Sequence, residues 1–85
     1  MNPVYIDGDL RKSHLYHDGD VIVTGALDVA GDVAISGNLF VFNDISIGGD
    51  CGVEEIICYG DVNIAGFLNC NGLYGTSNIK VGYIL

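Results

Sequence analysis

The chain has no tryptophan, one proline, one methionine and only three basic residues, Arg11, Lys12 and Lys80. Each scarcity removes a class of protein. So few cations leave no basic patch to grip phosphates, which argues against direct contact with nucleic acid or an anionic membrane surface. No apolar run approaches the roughly 18 residues of a membrane-spanning helix. The opening "MNPVYIDGDLRKS" lacks the basic-then-apolar order of a secretory leader. A soluble, cytoplasmic chain is therefore expected. Cys51, Cys58 and Cys70 are odd in number and form no CxxC pair. Neither a disulfide framework nor a zinc site is expected, and the thiols read as small apolar groups.

What is present is glycine, aliphatics and acid. Thirteen glycines accompany a hydrophobic fraction of 49%, with only 16% charged residues. That composition can bury a core and argues against disorder. At 85 residues it suffices for one small domain, spanning 1–85. In "GDVIVTGALDVAGDVAISGNLFVF", residues 19–42, glycine returns at Gly19, Gly25, Gly31 and Gly37. Aliphatics follow two and four places later: Val21/Val23, Leu27/Val29, Val33/Ile35, Leu39/Val41. Alternation of this kind places the aliphatics on one side of an extended chain. A period of six is not helical, and regular glycine corners between short strands are the mark of a parallel β-helix.

Three units per triangular coil bring like residues into columns. The first column set runs Val4/Ile6, Val21/Val23, Leu39/Val41, Ile56/Cys58, Tyr74/Thr76. The second runs Leu27/Val29, Ile45/Ile47, Val62/Ile64, Ile79/Val81. The third runs Leu15/His17, Val33/Ile35, Cys51/Val53, Leu68/Cys70. Agreement between spacing and stacking predicts an all-β chain, a small parallel β-helix of four to five coils.

The repeats "GDVNIAG", "GALDVAGDVAISGNL" and "ISIGGDC" resemble those of bactofilins and related polymer-forming β-helical proteins, over most of residues 19–82. The resemblance implies a non-catalytic protein that joins end to end into filaments. The chain is shorter than those proteins and far more acidic, with a formal net charge of −8. Hexapeptide acyltransferases share the glycine–aliphatic motif.

The outward residues differ between faces. One face is expected to show Tyr5, Ile22, Phe40, Phe42, Ile57, Tyr59 and Leu73, an apolar patch larger than soluble monomers usually expose. A second subunit bound isologously is the favoured cover, with a foreign protein or the chain's own N-terminal residues as alternatives. The other faces carry Asp28, Asp32, Asp44, Asp50 and Asp61, with Asp44 over Asp61 and Asp32 over Asp50. Carboxylates on a flat face diverge, so no metal site is expected. Rows of them can instead occupy a basic groove, imitating phosphates. The expected partner is a basic, nucleic-acid-binding protein that is thereby blocked, in the manner of small acidic phage inhibitors of restriction or CRISPR complexes. His14 points outward and His17 inward, with no nucleophile at comparable depth, so catalysis and a cofactor are not expected. No GxxxxGK[ST] or helix-opening GxGxxG is present.

Overall fold

A computed structural model describes residues 3–75 and 78–84. The strands in chain order are β1 (Val4–Ile6), β2 (Leu10–Lys12), β3 (Leu15–His17), β4 (Val21–Val23), β5 (Leu27–Val29), β6 (Val33–Ile35) and β7 (Leu39–Val41). There follow β8 (Ile45–Ile47), β9 (Cys51–Gly52), β10 (Glu55–Cys58), β11 (Val62–Asn69), β12 (Gly72–Tyr74) and β13 (Ile79–Ile84). All pairings among them are parallel, and each joins strands one turn apart. The result is a β-solenoid of about five turns, with about 17 residues and three strands per turn.

Face one is the column β1-β4-β7-β10-β12. Face two stacks β2, β5, β8 and the first halves of β11 and β13. Face three stacks β3, β6, β9 and the second halves of the same two strands. β11 and β13 therefore run through a corner that the earlier coils turn with glycine. The pairing of β11 with β13 shifts register between Ile64 and Phe67, where the bend falls.

Alternation puts every second side chain inside. Val21, Val23, Leu39, Val41, Ile56 and Cys58 under face one are essentially inaccessible to water, as are Leu27, Val29, Ile45, Ile47, Val62 and Ile64 under face two. The core contains no buried polar or charged side chain among the described residues. Each inner aliphatic contributes about 1.5–3 kcal/mol, and each coil buries its interior only by stacking on the next.

The inner columns match the spacing, with two corrections. Leu73, expected on the outer apolar patch, pairs with Ile56 and packs against the core, whereas Tyr74, expected inside, pairs with Ile57 and stands 53% exposed. The cause is Gly72. It is not a corner here but the first residue of β12, opposite Glu55, so the inward position falls one residue after the glycine rather than two. A one-residue slip exchanges inside for outside. Thr76, assigned to the same column, lies outside the described residues. The second correction is β2, which the repeat did not include. Leu10 and Lys12 pair with Leu27 and Val29 and begin the face-two columns. Lys12 occupies a place that later coils give to Val29, Ile47 and Ile64.

Candidate interaction surfaces

The carboxylates of the solenoid have internal duties. A corner residue precedes each strand, and its side chain can reach the backbone of the next coil. Asp44 Oδ1 accepts the Asp61 N–H at 2.8 Å, Asp32 Oδ1 that of Asp50 at 2.9 Å, and Asp50 Oδ1 that of Phe67 at 2.8 Å. Asp9 and Asp20 serve Ala26 and Asn38 in the same way at 2.7 and 2.8 Å. At His14 the acceptor is a ring nitrogen, Nδ1, 3.3 Å from the Asp32 N–H. These latches explain most corner glycines. A Cβ on Gly25, Gly37, Gly49, Gly60 or Gly66 would collide with Oδ1 of Asp9, Asp20, Asp32, Asp44 or Asp50 respectively. Corners leaving faces one and three add a hydroxyl contact in the early coils. Thr24 Oγ1 accepts from Gly8 N at 2.7 Å and Ser36 Oγ from Gly19 N at 2.8 Å, while their O–H groups point to Asp7 and Asp18.

The five carboxylates singled out from the sequence fall around one face. Asp44 and Asp61 stand on the corner leading into face two, and Asp32 and Asp50 on the corner leading out of it. Asp28 lies between them in the outer column Arg11–Asp28–Ser46–Asn63–Lys80. The spacing had divided them between two faces. Asp28 pairs with Arg11 at 3.2 Å in an open setting, which is worth little. Asp61 Oδ1 accepts from Asn78 Nδ2 at 3.1 Å. The latches of Asp32, Asp44 and Asp50 use Oδ1, and all three residues are exposed.

Face one presents a different surface. Its outer column is Tyr5–Ile22–Phe40–Ile57–Tyr74 in continuous register. Tyr5 is 65% exposed, while Ile22, Phe40 and Ile57 are half-buried by their neighbours. On the adjoining corner, Phe42 and Tyr59 meet edge to face with ring centroids 5.7 Å apart. Six of the seven residues expected on the patch are there, and Tyr74 stands in the place given to Leu73. Face three carries Tyr16, Ala34, Gly52 and Asn69 outside, of which the spacing places only Asn69. Small Ala34 and Gly52 leave a shallow, open trough beside Tyr16, whose ring stacks on His14.

The thiols offer little chemistry. Cys51 and Cys58 are buried and Cys70 half-buried, all three as free thiols. Burial pushes the Cys51 thiol up to about 12, with Cys70 nearby adding to the shift. Burial likewise raises Cys58 and Cys70, against hydrogen bonds from the Gly60 and Gly72 backbones that lower them. A thiol so shifted is a poor nucleophile at neutral pH. His17 sits half-buried over Ile35, at the first-coil end of the inner column of face three. Among the described residues no group of three or more His, Cys, Asp or Glu converges as a metal site would require, and no helix is long and apolar enough to cross a membrane. No family model, curated protein or solved structure matches the chain.

Proposed function

We propose that the protein is a non-catalytic interaction module. It dimerises through face one and offers the carboxylates around face two to a basic protein partner. The observation that carries the reading is the division of labour between faces: the outer column of face one has no charge, while face two is bordered on both sides by aspartate. Asp44 over Asp61 and Asp32 over Asp50 make two rows, one on each border of face two, with successive carboxylates one coil or ~4.8 Å apart. A single nucleic-acid strand carries about one charge per 3.4 Å. A groove built to follow one strand of phosphates meets a somewhat sparser row of charges here, and occupying it would block a nucleic-acid-binding protein.

The latches make a clean test available. Asn keeps an oxygen acceptor at both positions, for the Asp61 N–H at Asp44 and for the Asn78 amide at Asp61, but loses the charge, so Asp44→Asn and Asp61→Asn leave folding intact. Capture of basic proteins on the immobilised chain, repeated with this double variant and across salt, is expected to weaken in both cases. Capture indifferent to salt and to both substitutions refutes the acidic role.

A second reading, assembly end to end as in bactofilins, is favoured by the terminal coils. Among the described residues β13 pairs on one side only, and its Ile79 and Tyr83 are 47% and 64% exposed. Open edges invite pairing. Against it stands Lys12, a charge at an inward position of the first coil, which stacking on another molecule would bury. Sedimentation across concentration separates the two readings: a series of ever larger species supports the filament, and a discrete dimer excludes it.

A further inference from the structure

The outer column of face one reads Tyr5, Ile22, Phe40, Ile57, Tyr74, and it is the same in both directions. We infer that the partner of this face is a second copy lying with its solenoid axis reversed, about a two-fold axis that runs parallel to the strands and passes over Phe40. The inference rests on the self-association proposed above and specifies its geometry.

An axis in that direction keeps the strand direction and inverts the order of coils. Phe40 then meets Phe40 of the second copy, Ile22 meets its Ile57, and Tyr5 meets its Tyr74. Every residue of the column faces one of the same size and polarity, and each contact is repeated by the symmetry, as in any isologous contact. The flanks decide between this arrangement and the one with parallel solenoid axes. Phe42 and Tyr59 form one border of face one, and Asp20, Asn38 and Glu55 form the other. With parallel axes the aromatic border of each copy lies against the acidic border of the other, where carboxylates lose water without gaining a cation. With reversed axes Phe42 packs on Phe42 of the second copy at one rim, and the acidic borders share the opposite rim, where Asp20 of one copy lies nearest Glu55 of the other and the like charges hold that rim open to water.

The area suffices. Three side faces and two ends share a surface of 4659 Å², so one side face offers on the order of 900 Å², close to the ~800 Å² per partner of a standard interface. Charge favours face one over face two: a chain of net charge −8 approaches its own copy more cheaply through an outer column that carries none.

The test uses the full chain with Tyr5→Cys and Tyr74→Cys prepared as separate single variants. A short bis-maleimide spanning the ~10 Å between facing sheets is applied to each alone and to their mixture. Cys51 and Cys58 are buried, and the parent chain serves as the blank for Cys70. Reversed axes give a covalent dimer from the mixture and none from either variant alone, because like positions lie four coils, about 19 Å, apart along the axis. Cross-linking of Tyr5→Cys with itself, or no cross-link in a chain that sediments as a dimer, overturns the reversed arrangement and leaves self-association standing. Phe40→Asp, placed on the axis, is expected to weaken association ~30-fold or more while the circular dichroism stays unchanged. A monomeric parent chain, or a dimer untouched by Phe40→Asp, removes self-association through this face and the arrangement with it.

Discussion

Replacing one glycine by alanine should destabilise the solenoid at Gly49 and stabilise it at Gly52, three residues away. At Gly49 a methyl group collides with Asp32 Oδ1 and stands 2.9 Å from the Gly31 carbonyl oxygen and 3.0 Å from its carbon. The carboxylate must swing aside, releasing the Asp50 N–H it holds at 2.9 Å. Losing that bond costs about 1 kcal/mol, and displacing the Gly31 backbone adds about 1–3 kcal/mol of overpacking. The total is roughly 2–4 kcal/mol. At Gly52 an added Cβ meets nothing within 4 Å and the backbone has no positive φ. There alanine restricts only the unfolded chain, a gain of about 0.4–1 kcal/mol. Urea unfolding followed by circular dichroism reads both, since an unchanged slope assigns the shift of midpoint to stability. The gap of about 2.4–5 kcal/mol is roughly fiftyfold to a few thousandfold in the unfolding constant, at 1.4 kcal/mol per factor of ten. In an Asp32→Ala background the latch is already gone, so Gly49→Ala should cost at least about 1 kcal/mol less than in the parent. Equal shifts at Gly49 and Gly52, or strict additivity with Asp32→Ala, would refute the idea that the corner glycines exist to let carboxylates through.

Other perturbations follow from the same contacts. Asp44→Ala should cost about 1 kcal/mol in thermal or urea unfolding while Asp44→Asn costs little, because only the amide restores an acceptor for the Asp61 N–H. Measured at dilutions where the chain is monomeric, Leu73→Asp should destabilise by about 2 kcal/mol or more and Tyr74→Asp by less than about 0.5 kcal/mol, reversing the order expected from glycine spacing alone. The Cys51 thiol is held protonated in the fold, at about 12 against an ordinary 9.0. Its contribution is full below pH 9 and declines as pH rises toward 12, with a slope of up to about 1.4 kcal/mol per pH unit. Cys51→Val should flatten the fall in stability measured over that window. Arg11→Ala, breaking an ion pair whose side chains are 86% and 49% exposed, should leave the unfolding midpoint unchanged within about 0.5 kcal/mol.

The inner columns were legible because glycine and alternating aliphatics are both backbone requirements: one turns the corner and the other fills the prism. The rule broke where a glycine served a different purpose. Gly72 opens a strand instead of turning a corner, and the reading slipped by one residue at Leu73 and Tyr74. Lys12 hid β2 because a charge at an inward position is tolerable only in a terminal coil, where a long side chain can lay its stem on the core and keep its ammonium in water. The duties of the aspartates were missed for another reason. Their partners are backbone N–H groups of the next turn, which have no letter in the sequence. A trace was nevertheless present: Asp32 precedes Gly49, Asp44 precedes Gly60 and Asp50 precedes Gly66 by close to one turn each. The outer column of face one needed the register of all five of its strands before its symmetry could be seen.

Because each strand is hydrogen-bonded only to strands one turn before and after it, length in this architecture is a free variable. Duplicating or excising one whole turn in the middle, cut at equivalent corners, leaves the junction between remaining neighbours chemically familiar. Lineages carrying such a chain can therefore grow or shrink it in steps of about 17 residues, whereas a partial turn would throw every later side chain onto the wrong surface.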